Sequence, residues 1–332
     1  MVRDANREQP LGDRVVIVTV TTNAALDRTL TVPVFQIGFR HRSSDVLTLA
    51  GGKGINVARA LKILDVPVVA TGLAGGRTGT RIIEELTAEA ILNDFVRIAA
   101  ESRTSTAVVD PAAGTHTEIN EWGPEVGAAE LETLVEKLHY LSRGADFVVL
   151  SGSLPRKVAT TFYADAVRDL ARRDVRVVLD SEGEPLRLAV EAGPFLVSPN
   201  QREAEGLVGQ ELEDDDDFLM ALDAIAEMGA RNVLITLENG CFALLRIGRK
   251  TKRMRAFAPH VEPVSGVGSG DVLLAQFLAA LVEERSLDYA VRLAVAAGAA
   301  SVREVGAGRF DRTFAGTLAA DIELAELQPV RS

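Results

Sequence analysis

The strongest constraint on the fold is an alternation of short apolar runs with amphipathic segments along the second half of the chain. Apolar runs at 147–150, 175–179 and 232–237 are separated by segments with helical spacing. From residue 123 onward the repeat is about thirty residues long, which is typical of strands that pair in parallel beneath covering helices. We therefore predict an α/β fold whose mainly parallel sheet is covered on both faces.

Two segments interrupt this alternation. Residues 29–49 and 96–120 alternate polar and apolar side chains without a helical stripe, a pattern typical of antiparallel strands that expose one face. Because each segment returns to the α/β alternation, we predict that the two insertions form one small β-sheet that acts as a lid. Ordinary hairpins at the edge of the large sheet are the alternative interpretation.

These patterns divide the chain into three predicted parts. A polar leader at 1–14 is expected to be disordered, residues 15–28, 50–95 and 121–332 form the α/β core, and residues 29–49 and 96–120 form the lid.

Composition excludes several classes of protein. The net charge of −11 and the isoelectric point of about 5.0 disfavour nucleic-acid binding, which requires a basic face. Cys241 is the single cysteine and there are four histidines, so we expect neither an intrachain disulfide nor a zinc cluster. The sequence has no signal-peptide core and no run of about 18 apolar residues. We therefore expect a cytoplasmic protein that has no membrane partner.

A glycine-rich turn leads directly into an apolar run at 272–281. The first amides of a helix lack partners within the helix and carry partial positive charge, and Gly268, Ser269 and Gly270 let such amides approach an anion closely. Asp271 adds a carboxylate that can accept a proton beside that anion. This combination suits phosphoryl transfer to a hydroxyl group, and a capped helix after a glycine turn is the alternative.

A second glycine cluster, Ala50–Ala58, also precedes a predicted helix. It lacks the spacing of a P-loop and the third glycine of the dinucleotide fingerprint. Gly52 permits close backbone approach, Lys53 supplies a cation, and Asn56 supplies an amide side chain. The cluster therefore suits a polyhydroxylated or anionic ligand, with a simple tight turn as the alternative.

Polar residues follow the first predicted strand at its carboxyl end. Asn23 and Asp27 lie where ligands bind in open α/β sheets, and a carboxylate there can accept two sugar hydroxyls. A capped turn is the alternative. Arg103, in the second insertion, could hold a phosphate bidentately if the lid folds over the site, although most single arginines are ordinary surface residues.

Three further segments have candidate roles. Asn200 and Glu203, three residues apart on a predicted helix, could together hold Mg²⁺ through water, because magnesium gives up its water reluctantly. Residues 236–240 and Ser151–Pro155 are strand-end turns that could border a ligand. The acidic run Asp214–Asp217 is predicted to be a solvated loop and helix start, because carboxylates suit the first turn of a helix.

Several of these motifs occur in the same order in one family. The chain resembles the ribokinase-like (PfkB) carbohydrate kinases from about Val15 to the C-terminal helix, and most of all the branch of 1-phosphofructokinases and tagatose-6-phosphate kinases. The matching motifs lie at Asn23–Asp27, Gly51–Ala58, Ser102–Arg103, Thr117–Asn120, Ser151–Pro155, Asn200–Glu203 and Gly268–Asp271.

The resemblance implies a Rossmann-like three-layer core with a small β-sheet lid, the cofactors ATP and Mg²⁺, and a homodimer formed through the lid. It implies that Asp271 is the base and that the amides of Gly268–Gly270 form an anion hole. The resemblance further implies that Asp27, Gly52 and Asn56 bind the sugar hydroxyls, and that Lys53 and Arg103 bind the phosphate already on the sugar. It also implies that Asn200 and Glu203 support the metal. The nucleotide is expected to contact Thr236, Glu238, Gly240 and the segment 297–300.

The chain departs from the family pattern near the nucleotide. Ser198 stands where relatives often have a lysine, and Glu238 stands where a glycine usually follows Thr-Leu. Together these two differences remove one positive charge and add one negative charge near the nucleotide. We therefore expect them to weaken the affinity for ATP or to alter the choice of phosphoryl donor. Ala24 in place of proline and Ser269 in place of alanine are expected to matter little, since the amide of residue 269 is retained.

We predict transfer of the ATP γ-phosphoryl group to a ketohexose monophosphate, a small-molecule phosphosugar, with fructose 1-phosphate giving fructose 1,6-bisphosphate as the first choice. Tagatose 6-phosphate and fructose 6-phosphate are alternative acceptors. A non-catalytic sugar-phosphate sensor on a kinase scaffold is an alternative of another class, motivated by Ser198 and Glu238. A dinucleotide oxidoreductase fits the α/β alternation but lacks the glycine fingerprint.

Overall fold

A computed structural model describes the chain over residues 17–247 and 250–328, so the predicted leader at 1–14 lies outside the described residues. The strands in this part of the chain are β1 Ile17–Thr21, β2 Ala25–Thr31, β3 Asp45–Gly51, β4 Val68–Gly75, β5 Leu92–Ile98, β6 Arg103–Asp110, β7 Thr115–Asn120, β8 Phe147–Ser151, β9 Arg176–Asp180, β10 Leu196–Val197, β11 Asn232–Thr236, β12 Gly240–Ile247, β13 Lys250–Phe257 and β14 Glu323–Leu327. The helices are α1 Lys53–Ile63, α2 Gly76–Ala88, α3 Ala128–Leu141, α4 Phe162–Ala171, α5 Gly183–Glu191, α6 Gln201–Val208, α7 Asp215–Met228, α8 Ser269–Val282, α9 Leu287–Ser301 and α10 Arg312–Leu318.

Ten strands form one large sheet in the order β14-β13-β12-β11-β10-β9-β8-β1-β4-β5. Neighbouring strands from β11 to β5 all pair in parallel. Strands β1, β4 and β8 are buried along their whole length, as expected for apolar runs between two helical layers. The predicted α/β fold with a mainly parallel sheet is confirmed.

The two faces of the large sheet pack against separate apolar clusters. Along β1, Ile17 points into one cluster and Val18 into the other, and Phe147 and Val148 of β8 alternate in the same way. Helices α1, α8 and α9 cover the first face, and α3, α4 and α7 cover the second. Each fully buried large aliphatic or aromatic side chain contributes about 1.5–3 kcal/mol to this packing, so the core forms a rigid base for the site.

The small sheet has four strands in the order β3-β2-β6-β7. Both predicted insertions contribute two strands, but β2 and β6 pair in parallel, so the expectation of purely antiparallel strands is wrong at this junction. The physical reason is topological. The two insertions follow the parallel strands β1 and β5 at the carboxyl end of the large sheet, and their first strands in the small sheet therefore run in the same direction.

The strand bounds differ from the predicted lid segments 29–49 and 96–120. Strand β2 begins at Ala25 and β3 ends at Gly51, so the small sheet reaches down to the core, whereas residues 96–98 belong to β5 of the large sheet. Alternation of polar and apolar residues does not distinguish a strand of the small sheet from an edge strand of the large sheet, because an edge strand such as β5 also exposes one face.

The sequence analysis also missed an antiparallel extension of the large sheet. Strands β12 and β13 form a hairpin after β11, and β14 returns near the C-terminus to pair with β13. The acidic run, by contrast, begins α7 as predicted. The Asp214 side chain accepts hydrogen bonds from the backbone N–H groups of Asp216 and Asp217.

None of the helices in the described part of the chain has the length and apolar character needed to cross a bilayer.

Candidate active site

The carboxyl ends of the parallel strands open into a cleft of about 1310 Å³ beneath the small sheet. The last residues of β1, β8, β9 and β11 (Thr21, Ser151, Asp180 and Thr236) all line it, as expected for ligand sites in open α/β sheets. The predicted site residues that line the cleft are Asn23, Asp27, Gly52, Lys53, Asn56, Arg103, Asn200, Glu203, Thr236, Glu238, Gly268, Ser269, Gly270 and Asp271.

Gly240 is the exception among the predicted site residues. It is buried at the start of β12, opposite Phe257, and is absent from the cleft lining. A Cβ atom at this position would lie 2.2 Å from the backbone oxygen of Ala256. The glycine is therefore explained by close strand packing, and not by contact with a nucleotide in the cleft.

Helix α8 begins at the glycine-rich turn. Gly268 has a φ of 80°, in the left-handed region, and a Cβ there would lie 2.7 Å from the Cβ of Ala307. No side chain caps the helix. The amide of Ser269 donates to Gly266 O over 3.3 Å, whereas the amide of Gly270 has no acceptor within residues 17–247 and 250–328. The turn therefore leaves a helix N-terminus open for an anion.

Asp271 lies in the first turn of α8 and is 5% exposed. Its Oδ2 accepts a hydrogen bond from Asn56 Nδ2 over 2.8 Å. Burial raises the pKa of this carboxyl above its ordinary value of 3.8, the negative charge of Asp180 raises it further, and Lys53 and the Asn56 hydrogen bond oppose that rise. A carboxyl group whose pKa is raised in a cleft has the character of a general base.

Lys53 is the first residue of α1 and lies between carboxylates from two other elements. Its Nζ donates to Asp180 Oδ1 over 2.7 Å and to Glu203 Oε1 over 3.3 Å. Despite the desolvation, these carboxylates and Asp271 hold the pKa of Lys53 above its ordinary value. The cleft floor thus has a fixed ammonium group surrounded by acidic side chains.

Asn200 and Glu203 form a reciprocal capping box at the start of α6. Asn200 Oδ1 accepts from the Glu203 amide, and Glu203 Oε2 accepts from the Asn200 amide, each over 2.8 Å. Because Glu203 Oε1 accepts from Lys53, the capping box and this ion pair together place the carboxylate rigidly at the cleft edge. Burial is the largest effect on the Glu203 carboxyl and raises its pKa.

Asp27 belongs to β2 of the small sheet and lies close to the backbone of Gly51. A Cβ at Gly51 would fall 1.9 Å from Asp27 Oδ2, so only glycine leaves room for this carboxylate. Desolvation raises the pKa of Asp27 to about 6, while Arg103, Arg59 and a hydrogen bond from the Gly52 amide lower it. A half-buried carboxylate with open oxygens is suited to accept hydrogen bonds from hydroxyl groups.

Arg103 begins β6 and joins the small sheet to the core. Its Nε donates to the backbone oxygen of Asn23 over 3.1 Å, and one terminal nitrogen donates to the oxygen of Glu121 over 3.3 Å. Both hydrogen-bond acceptors are neutral carbonyls, and the carboxylates of Asp27, Glu121 and Glu182 lie near enough to stabilise its positive charge.

Three buried polar atoms along the cleft have no hydrogen-bond partner: Thr21 Oγ1, Asn23 Oδ1 and Ser151 Oγ. The amide nitrogen of Asn23 is used, because it donates to Trp122 O and Ser153 Oγ, each over 3.2 Å. Buried polar atoms usually have partners, so these three atoms keep hydrogen-bonding capacity that no protein group in the described part of the chain uses.

The residues that line the cleft also include Ser198, Thr236 and Glu238. Ser198 and Thr236 are buried, and Glu238 is exposed in the turn between β11 and β12. The segment 297–300 lies within α9 and is mostly buried against the core, and it does not line the cleft.

The sequence analysis missed two charged residues of the site. Asp180 directly follows the apolar run at 175–179, and its position at the carboxyl end of a strand was a usable signal. Arg59, in the middle of α1, is 4% exposed and lines the same cleft. A charged residue inside an apolar helix segment was the available signal, because arginine is almost never buried without partners.

Comparison with known proteins agrees with this geometry. Residues 23–313 match the pfkB family of carbohydrate kinases. The chain is 32% identical to a protein named 1-phosphofructokinase from Borreliella burgdorferi, over 86% of this chain and 91% of that protein. It is 33% identical to a protein of the same name from Bacillus subtilis, over 89% and 96% of the two chains.

Solved structures give the same result. Phosphofructokinase-2 from Escherichia coli in complex with fructose-6-phosphate has a TM-score of 0.82 and 29% identity, and covers 92% of this chain and 99% of its own. A possible 1-phosphofructokinase from Thermotoga maritima has a TM-score of 0.85 and 25% identity, and covers 94% and 100%. The chain therefore belongs to the pfkB family of carbohydrate kinases, which are sugar phosphotransferases.

Proposed function

We propose that this kinase phosphorylates a ketohexose monophosphate with ATP, and that its acceptor is fructose 1-phosphate, which gives fructose 1,6-bisphosphate. The observation that carries the proposal is the position of Asp271, a buried carboxyl with raised pKa beside an uncapped helix N-terminus. Relatives at 32% and 33% identity are named 1-phosphofructokinase, and this supports the choice of acceptor.

The proposed reaction moves one phosphoryl group and one proton. The acceptor hydroxyl oxygen bonds to the γ-phosphorus, the bond from that phosphorus to the bridging oxygen breaks, and ADP leaves. Asp271 takes the hydroxyl proton. The amide of Gly270 and its neighbours in the Gly268–Gly270 turn stabilise the negative charge on the transferred group, because fixed dipoles act strongly in a cleft shielded from water.

The sugar would lie between the small sheet and α1. Asp27 accepts hydrogen bonds from its hydroxyl groups, and Gly52 and Asn56 border it. Arg103, whose hydrogen-bond acceptors in the protein are both carbonyls, holds the phosphate already on the sugar.

Lys53 has a different role in this proposal from the one implied by the family resemblance. Its ammonium group lies against Asp180 and Glu203 and is electrostatically coupled to Asp271. That position is next to the proton acceptor, on the floor of the cleft, whereas Arg103 lies on the small sheet. We therefore assign Lys53 to the transferred phosphoryl group and Arg103 to the phosphate of the sugar.

The residues present also suit a nucleotide and a magnesium ion. The open N-terminus of α8 is suited to phosphate oxygens, and Thr236 and Glu238 border the space for the nucleoside. No group of three or more His, Cys, Asp or Glu able to hold a metal occurs within the described residues. Glu203 and Asn200 would therefore hold Mg²⁺ through water, and the ion when bound neutralises charge on the phosphates.

Fructose 6-phosphate is a second candidate acceptor. The specific observation in its favour is the similarity to Escherichia coli phosphofructokinase-2 in complex with fructose-6-phosphate, at a TM-score of 0.82. Because fructose 1-phosphate and fructose 6-phosphate each carry one phosphate at one end of the same sugar, Arg103 alone does not discriminate between these acceptors.

The deciding experiment measures ADP release with ATP and Mg²⁺ for fructose 1-phosphate, fructose 6-phosphate, tagatose 6-phosphate, fructose and ribose. We expect the highest kcat/KM with fructose 1-phosphate and low values with the unphosphorylated sugars. A preference for fructose 6-phosphate or tagatose 6-phosphate would change the acceptor and keep the reaction. Sugar-phosphate binding without ADP release from any acceptor would favour the sensor hypothesis.

We further propose that the small sheet is a lid and that two chains pair through it. Five exposed large apolar side chains lie in this region: Val34, Ile37, Phe39, Val46 and Ile119. Exposed apolar side chains gathered in one region are typical of an interaction surface. Light scattering should show a dimer for the intact protein, and the double variant Ile37→Glu/Phe39→Glu should be monomeric. An intact protein that is monomeric at high concentration contradicts the pairing.

A further inference from the structure

Arg59 is a buried arginine whose donors all have acceptors. Its Nε donates to Glu89 Oε2 over 2.6 Å, and its NH2 donates to Ala50 O over 2.7 Å and to Glu89 Oε1 over 3.3 Å. Its NH1 donates to Ala307 O over 3.0 Å and to Asn56 Oδ1 over 3.4 Å. A guanidinium group has five N–H donors in a rigid plane, and here each of them has a partner.

These acceptors belong to four different parts of the molecule, of which those at Glu89 and Ala307 are distant from Arg59 in sequence. Asn56 is three residues before Arg59 on α1 and contacts Asp271. Ala50 lies near the end of β3, where the small sheet joins the core. Ala307 lies in the loop between α9 and α10. Glu89, which follows α2, neutralises the charge of the guanidinium from the outer side.

The loop around Ala307 packs closely against the same parts. A Cβ at Gly308 would lie 2.5 Å from Asn56 O, and a Cβ at Gly306 would lie 2.7 Å from a methyl group of Leu49 in β3. Ala307 itself is the residue against which Gly268 of the anion-binding turn packs. Arg59 therefore holds a loop that contacts α1, the small sheet and the turn before α8.

Arg59 also decides the orientation of the Asn56 side-chain amide. The guanidinium only donates hydrogen bonds, so the amide atom facing it must be the acceptor Oδ1. Nδ2 is then directed at Asp271 Oδ2, where it donates to the carboxylate. In the opposite orientation Oδ1 would face the Asp271 carboxylate, and two acceptors would repel each other.

We propose that Arg59 is a positioning residue for phosphoryl transfer, which keeps Asn56 in the orientation that donates to Asp271 and keeps the 306–308 loop packed against the anion-binding turn. The inference rests on the proposed reaction, in which Asp271 accepts the proton. Arg59 acts through Asn56 and Ala307, and it need not touch the substrate.

The effect should appear in the pH profile as well as in the rate. The charged groups that face Asp271 are Asp180, Lys53 and Asp27, and Asn56 is its hydrogen-bond donor. The donor favours the charged carboxylate and so lowers the pKa. When the pH is lowered, a variant in which Asn56 loses its orientation should therefore begin to lose activity at a higher pH than the wild type does.

The test compares Arg59→Lys with Arg292→Lys. Lysine keeps the charge at residue 59 but has no planar fork, so a purely electrostatic role would be rescued. Arg292 donates to the backbone oxygens of Ala319 and Ile322 away from the cleft and is the matched control. For Arg59→Lys we expect kcat to fall about tenfold or more and KM for the sugar phosphate to change less than about threefold. We also expect the acid limb of the pH profile, which is the fall in activity at low pH, to move to higher pH. For Arg292→Lys we expect only a lower melting temperature.

An Arg59→Lys enzyme with wild-type kcat and an unmoved acid limb would overturn the proposal. If that variant does not fold, Glu89→Ala decides, because it leaves Arg59 in place but removes its anchor. A fall in kcat with the same shift of the acid limb supports the proposal, and unchanged values refute it. Wild-type protein that releases no ADP with any phosphosugar refutes the proposed function and this inference together, whereas a normal wild type with unaffected variants refutes the inference alone.

Discussion

Asn56 donates a hydrogen bond to Asp271 over 2.8 Å, although the two residues are 215 positions apart in the chain. The bond joins the start of α1, next to the small sheet, to the start of α8, next to the anion-binding turn. Because Asp271 is buried and faces the carboxylate of Asp180, a donor at this position is needed for the charged form that can accept a proton.

Replacing the proposed base should abolish most turnover. For Asp271→Asn we expect kcat to fall by about 10²–10⁴-fold, the usual contribution of a general base. KM for the sugar phosphate should stay within a few-fold, because asparagine has the same shape. ADP release measures both quantities, and Asp288→Asn, at the exposed ion pair with Lys252, is the control. Wild-type kcat in Asp271→Asn would refute the assignment of the base.

The pH profile should show a base with a raised pKa. Asp271 accepts a proton only when it is ionised, so activity is lost as the pH falls through its pKa. Since burial raises that pKa above 3.8, the acid limb of kcat/KM should lie well above pH 4. Asn56→Ala removes a bond that lowers the pKa and should move the limb to still higher pH. An acid limb near pH 3.8, the ordinary pKa of an aspartate, that does not move in Asn56→Ala would contradict the assignment of the buried Asp271 as the base.

Asp27 should lower the stability of the free enzyme at neutral pH. Its pKa is about 6 in the folded chain and 3.8 as an ordinary carboxyl, so the folded state holds the proton more tightly. The contribution of Asp27 to the free energy of unfolding is therefore fully present below about pH 4 and is lost as the pH rises through 6. Asp27→Asn should be more stable than the wild type at pH 8 by about 1–3 kcal/mol, a range that allows for partial solvent exposure.

Urea unfolding at two pH values tests this prediction. The stability gain of Asp27→Asn should shrink when the pH is lowered from about 8 to about 5, and KM for the sugar should rise in the same variant. A variant less stable than the wild type at pH 8 would show that the contacts of Asp27 outweigh its desolvation.

Gly51 should be intolerant of any side chain. Gly51→Ala places a Cβ 1.9 Å from Asp27 Oδ2, so the carboxylate must move. We expect KM for the sugar to rise about tenfold or more. Gly316→Ala is the control, because no atom lies within 4 Å of its Cβ position in α10 and alanine there should stabilise by about 0.5–1 kcal/mol. An unchanged KM in Gly51→Ala would show that Asp27 does not hold the sugar.

Local patterns predicted the framework of the site. Buried apolar runs gave the parallel strands, and glycine clusters placed two helix starts at ligand-binding edges, because both signals depend on neighbours within a few residues. The parallel pairing of β2 with β6, the structural role of Gly240 and the hairpin β12–β13 were missed. The pairing of β2 with β6 depends on which distant segment packs alongside, and a residue pattern has no information on that choice. The hairpin β12–β13, with Gly240 in it, joins strands that are neighbours in sequence, so it was a local feature that the pattern analysis overlooked.

The sequence by itself determined the α/β class, the family and most of the polar residues that line the cleft. Only the tertiary structure decided their partners: Lys53 between Asp180 and Glu203, Asn56 on Asp271, and Arg59 on the loop at Ala307. The physical reason is one of range. Hydrophobic periodicity and glycine conformations act over a few residues, whereas the charge and hydrogen-bond partners of a buried group are set by strands and helices brought together from the whole chain.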